Sequence, residues 1–134
     1  EHLARHRAAD LFLDTLPFNA GATGSAALWS GLPLLTQIGE SFVARYGASL
    51  LNAMDLPELI TNTREEYEAR AIELANNPFR LSEIKKKLEQ NRETSPLFNG
   101  QLFARHIEAA YAEIHRRQLG GEKPDHIYVE SLVK

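Results

Sequence analysis

Gly21, Thr23 and Gly24 stand in the stretch DTLPFNAGATGSAALW, residues 14–29, between an apolar run and a short helical pattern. Glycines that follow a strand let the backbone approach a ligand closely. A threonine hydroxyl among them can donate to an anionic oxygen. The first turn of the next helix has N–H groups without intrahelical acceptors and carries about half a positive charge. Together these parts can cradle a phosphate or diphosphate, although a glycine-rich turn that merely redirects the chain has the same composition. Two familiar nucleotide motifs are absent. No Lys-Ser or Lys-Thr follows the glycines, as a Walker loop requires. The dinucleotide fingerprint needs three glycines and an acid about 20 residues further on.

Other residues that could do chemistry have plainer readings. His2 and His6 are spaced to chelate a metal from one helix, but no third ligand accompanies them, so they read as surface histidines. Glu40 reads as an acid favouring the start of the next helix. Trp29 reads as core packing between two strands. Lys85, Lys86 and Lys87 are flanked by Glu83 and Glu89 and read as a solvated helix face. Tyr67, Phe103 and Tyr111 read as core. No Ser/His/Asp set and no pair of acids has catalytic logic, so no catalytic residue and no metal site is assigned.

The elements that would position the glycine turn follow from local pattern. Residues 1–9 read as a helix. Residues 10–14 are short, apolar and bounded by turn residues, as a buried parallel strand should be. Residues 15–24 form a loop rich in Gly, Pro, Asn and Thr. Residues 25–29 form a short helix that Gly31 ends, and residues 33–36 a second strand. Strand, loop, helix and strand in this order make a parallel crossover unit. Further helices are expected over 41–54, from 62–66 to near Pro78, over 81–92 and over 99–118. Leu102, Phe103, Ile107, Ala110, Tyr111 and Ile114 share one face of the last of these. Residues 125–134 read as an extended tail. Two parallel strands are too few for a stable open sheet. The unit therefore reads as the later part of a nucleotide-binding sheet, with an exposed edge along 10–14 that invites pairing with a second copy.

Length and composition bound the rest. A chain of 134 residues is one domain at most. It has 15 Lys+Arg against 18 Asp+Glu, a net charge of −3, which argues against a nucleic-acid binder. Cysteine is absent, which fits a cytoplasmic protein. No apolar run approaches the roughly 20 residues that span a bilayer. The chain begins at Glu1 without a signal-peptide pattern and reads as a piece of something longer.

Several ordered blocks carry a more specific signal: DLFLDT at 10–15, NAGATG at 19–24, ALWSGLPLLT at 27–36 and GESFVAR at 39–45. LPELI at 56–60, EEY at 65–67, SPLFN at 95–99 and KPDH at 123–126 follow in the same order. They resemble the catalytic region of the O-GlcNAc transferases and their bacterial relatives across nearly the whole chain. The resemblance implies an α/β, GT-B architecture of two Rossmann-like domains, usually preceded by tetratricopeptide repeats. Residues 1–134 would be the helix-rich C-terminal half of the second domain, with few parallel strands. It further implies a uridine diphosphate sugar donor, in particular UDP-GlcNAc. The sugar would pass to a protein Ser or Thr hydroxyl with inversion, with no cofactor and no nucleotide-bound metal.

Residue by residue, the family's donor site carries over in part. Thr23 matches a threonine that holds the diphosphate. Ala22 stands where the family usually has another threonine, Gly21 where animal enzymes have a histidine, and Ala26 where an aspartate often binds the ribose. His2 matches an aromatic or histidine position near the uracil, with Arg5 beside it; an imidazole can stack on a base. The donor set is thus His2, Arg5, Gly21, Ala22, Thr23, Gly24 and Ala26. The family's acceptor site and base lie largely in the other domain, so these residues are an incomplete fragment of the catalyst, inactive alone. The alternative is a degenerate, non-catalytic nucleotide-sugar-fold module for binding or assembly, which the losses at Ala22 and Ala26 favour.

Overall fold

Leu34, Leu35 and Thr36 have no exposed surface, and they are the middle of the sheet. Three short parallel strands pair in the order β1 (Phe12–Leu13), β2 (Leu34–Gln37) and β3 (Ile60–Thr61). Phe12 is in register with Leu34, and Thr36 with Ile60. A strand buried on both faces is apolar rather than alternating; Leu34 and Leu35 of β2 follow that pattern, while the equally buried Thr36 is polar and needs a hydrogen-bond partner. The computed structural model describes residues 1–130. It divides into two units, Glu1–Ser95 and Pro96–Lys134.

In the first unit a short helix, α1 (His2–Arg5), runs into a 3-10 turn at His6–Ala8, so the helix expected over 1–9 is only partly regular. Helix α2 (Ala22–Trp29) crosses from β1 to β2. Helix α3 (Tyr46–Ala53) follows β2 after a 3-10 turn, and α4 (Arg64–Asn76) follows β3. Thr63 caps α4 by accepting from the Glu66 N–H, while the Glu66 carboxylate accepts from the Asn62 N–H. This is a capping pattern displaced by one residue from the usual box. Pro78 opens α5 (Pro78–Thr94) at the first helical position, which suits proline because no N–H is needed there. Leu28, Leu51, Met54, Leu56, Leu59, Leu74, Ile84 and Leu88 complete the core. In the second unit a 3-10 turn at Pro96–Phe98 precedes α6 (Gly100–Leu119), capped by Asn99.

The crossover and the parallel pairing of 10–14 with 33–36 are as the pattern requires, and β1 lies at one edge of the sheet. Four expectations need correction. Helix α2 starts three residues before the expected 25, so Ala22, Thr23 and Gly24 are its first turn rather than a loop. A third strand, β3, exists. Trp29 is not core: it is 49% exposed, and the Arg92 guanidinium lies 5.8 Å from its ring centre. Phe103 and Tyr111, read as core, are each 65% exposed. Apolar residues on one helical face mark a contact surface but do not say that the same unit fills it. Of the expected tail, residues 131–134 lie outside the described residues, and 125–130 have no regular structure.

Candidate functional site

The site is built where β1 ends. Asp14 follows Leu13, and the loop over 15–20 leads to Gly21, the N-cap of α2. No side chain caps this helix. The N–H groups of Ala22, Thr23 and Gly24 therefore have no intrahelical acceptor, because the first helical bond runs from Ser25 N to Gly21 O at 2.9 Å. Ala22 and Thr23 are exposed. The arrangement offers one hydroxyl and the positive end of a helix at the carboxyl end of a parallel sheet, where open α/β folds hold ligands. Chemically it can bind an anion and stabilise charge that grows on one.

The two glycines differ in what surrounds them. A Cβ on Gly21 would lie 3.8 Å from the Tyr46 ring, an ordinary contact, so an aromatic wall stands beside the helix start. Gly24 is buried, and a Cβ there would meet Leu50 at 3.3 Å and Leu34 at 3.5 Å. Its missing side chain brings α2 close to α3 and β2. Ala26 is half-buried. The structure thus gathers Gly21, Ala22, Thr23, Gly24 and Ala26 on the first turns of one helix. His2 and Arg5 are together on α1, both exposed. The His2 and His6 rings meet edge to face at 5.2 Å, and Arg5 faces Glu1 at 4.0 Å. That ion pair is highly exposed and adds little to stability.

Beneath the turn lies a polar cluster that sequence reading missed. Asp14 Oδ1 accepts from Thr15 N at 2.8 Å and from Ala20 N at 2.7 Å. Asp14 Oδ2 accepts from Thr36 Oγ1 at 2.6 Å. Asn19, fully buried, donates its side-chain amide to Thr15 O at 3.0 Å and accepts at Oδ1 from Gly47 N at 3.4 Å. The one available signal was a polar residue closing each apolar run: Asp14 after LFL and Thr36 after LPLL. An open depression of about 430 Å³ runs along α3, lined by Ile38, Phe42, Arg45, Tyr46, Ser49 and Asn52 among others. Tyr46 is the residue it shares with the Gly21 turn.

The family model for glycosyl transferase family 41 matches residues 1–107. A probable UDP-N-acetylglucosamine–peptide N-acetylglucosaminyltransferase SEC of Arabidopsis thaliana is 35% identical over 130 residues, which are 96% of this chain and 13% of that protein. A UDP-N-acetylglucosamine–peptide N-acetylglucosaminyltransferase of Caenorhabditis elegans is 34% identical over 127 residues, 95% of this chain and 11% of its own length. A solved mutant of the Thermobaculum terrenum O-GlcNAc transferase superposes with a TM-score of 0.80 at 31% identity, covering 86% of this chain and 22% of that one. The chain thus spans only a small fraction of the proteins it matches. Among the described residues, no helix is long and apolar enough to cross a membrane.

Proposed function

The chain belongs to glycosyl transferase family 41, and on that premise we propose that it forms the donor-binding part of a transferase that moves N-acetylglucosamine from UDP-GlcNAc to protein Ser or Thr hydroxyls. The observation that carries the reading is the uncapped start of α2 at the carboxyl end of β1, with Thr23 exposed in its first turn. In the proposed reaction the acceptor oxygen bonds to the anomeric carbon while the bond from that carbon to the β-phosphate oxygen breaks. The bonding pair stays with uridine diphosphate, and the acceptor proton goes to a base outside these residues. Charge grows on the diphosphate as the bond breaks. The N–H groups of Ala22, Thr23 and Gly24 and the Thr23 hydroxyl are set to meet that charge without reorganising, which is how preorganised donors lower a barrier. His2 and Arg5 would face the uracil.

The donor set is incomplete for catalysis, because the one group in it that can take a proton, His2, is assigned to the uracil rather than to the acceptor. The acceptor protein would therefore be held by other parts of a longer protein. The carbon–oxygen chemistry needs no cofactor, and a cytoplasmic setting suits a cytosolic sugar nucleotide. The edge strand β1, with Leu13 53% exposed, would pair with a neighbouring strand, in a homo-oligomer from a second copy. A non-catalytic binding module remains the second reading, favoured by Ala22 and Ala26, which bring no side-chain donor or acceptor to the turn. Titration of the full-length protein with uridine diphosphate, followed by transfer from UDP-GlcNAc to a peptide, separates the two. Saturable binding with transfer supports the enzyme, binding without transfer the module, and no binding ends both.

A further inference from the structure

We propose that Asp14 is a positioning residue for the donor site: its buried carboxylate, through Thr15, Ala20 and Thr36, closes the loop over 15–20 and fixes the start of α2 before ligand arrives. The inference rests on the donor reading above and adds how that site is held in shape.

Asp14 is 6% exposed. Burying a carboxylate costs several kcal/mol unless its lone pairs are satisfied. Here three donors converge on two oxygens at 2.6 to 2.8 Å, the short range of charge-assisted bonds. An acceptor-only group is what three converging donors require, whereas an asparagine would turn a donating amide toward one of them. The bonds connect what a donor site must hold still. Ala20 N is the amide immediately before the Gly21 cap, and Gly21 O accepts the first helical bond of α2. Thr36 belongs to the fully buried centre of the sheet. A single carboxylate therefore ties the residue before the helix to the most rigid strand.

The neighbours reinforce the tie. Asn19 closes the loop onto Thr15 O and binds α3 through Gly47 N, while its own N–H donates to Val43 O at 3.1 Å. Gly47 is packed so closely that an added Cβ would lie 2.5 Å from Asp14 Oδ2. The carboxylate is thereby shut in by Gly47 of α3 and Thr36 of β2, leaving the N–H groups of the exposed Ala22 and Thr23 to receive an anion.

Thr36→Val removes one latch donor while keeping shape and volume. Thr61→Val is the control: Thr61 is 4% exposed and donates to Thr36 O at 2.9 Å, outside the latch. In the full-length protein we expect Thr36→Val to weaken uridine diphosphate binding by roughly fivefold to tenfold, part of what one bond to a charged group contributes. The hydrogen-bonded amides of Ala20 and Ser25 should also exchange hydrogen faster. Thr36→Ser should restore both, and Thr61→Val should lower the melting temperature without moving either. Should Thr36→Val fail to fold, Asp14→Asn is read by the same two measurements. Equal exchange at Ala20 and Ser25 in Thr36→Val and Thr61→Val overturns the latch, as does unchanged binding in a protein that binds. Faster exchange in a wild-type background that binds no uridine diphosphate leaves the latch standing and removes only the donor reading.

Discussion

The hydroxyl of Tyr67, in α4, donates at 2.9 Å to the backbone carbonyl of Asp14, at the end of β1. A third element thus holds the strand end from which the loop over 15–20 departs, and the same residue uses its carboxylate for the loop and its carbonyl for the helix. Burial, and then the nearby Asp14 charge, raise the Tyr67 phenol above its ordinary 10, so it stays a donor across the neutral range. Tyr67→Phe should cost about 1 kcal/mol, the net value of a hydrogen bond of this kind. Chemical denaturation checks it. The same loss should accompany a pH rise through the raised pKa, because the bond needs the protonated phenol. No change in the denaturation midpoint would show the bond to be absent in solution.

Thr23 carries the chemical prediction. Hydrogen bonds to charged groups contribute about 1.5–3 kcal/mol, so Thr23→Ala should weaken uridine diphosphate binding roughly tenfold to a hundredfold. Thr23→Ser should keep most of the affinity, since the donor survives. Residual binding is expected from the N–H groups of the same turn. Isothermal titration of the full-length protein decides it, and equal affinity for wild type and Thr23→Ala would make the turn purely structural.

Gly47 should be intolerant of any side chain. A Cβ there would fall within contact distance of the Thr36 hydroxyl and 2.5 Å from Asp14 Oδ2. Overpacking of this kind typically costs about 1–3 kcal/mol. Gly47→Ala should therefore lower the melting temperature by several degrees, even though alanine is the better helix former and sits within α3. A stabilised Gly47→Ala variant would contradict the packing described around Asp14.

Glu113, in α6, has a carboxyl held down at about 2 by hydrogen bonds from Arg116 first and then Arg117. A depressed carboxyl contributes its stabilisation above the ordinary 4.5 and loses it as the pH falls toward 2. Carbon-detected titration should show Glu113 still ionised at pH 3.5. Fraying at the C-terminal end of α6, read by hydrogen exchange, should begin only below that. A Glu113 midpoint near 4.5 would mean that the two arginines do not hold it in solution.

Much of the crossover unit was legible because its signals are local. Apolar runs of strand length bounded by Asp14 and Gly31 mark strands and turns without knowledge of what packs on them. The strand β3 was not legible, since Ile60 and Thr61 form a two-residue ladder that only the neighbouring β2 defines. Trp29 was misread because its position between two strands suggested burial, while its side chain lies under the Arg92 guanidinium of α5, 63 residues away. The family was visible in ordered motifs. The Asp14 cluster was not, because its meaning depends on Thr36 and Gly47 arriving from distant parts of the chain.

Among the described residues each strand of the sheet pairs with the next one in the chain, β1 with β2 and β2 with β3. Loop closure costs only slowly more as loops lengthen, but it must be met before a pairing contributes. Here both pairings close over a single crossover, so a nucleus of β1, α2 and β2 can form first and grow toward β3. During synthesis the β1–α2–β2 unit, with the Asp14–Thr36 bond inside it, can assemble before α3 emerges. The arrival of Gly47 then seals it. The turn over 21–24 would be among the earliest features to acquire its final geometry, and substitutions at Thr36 should slow folding more than they speed unfolding.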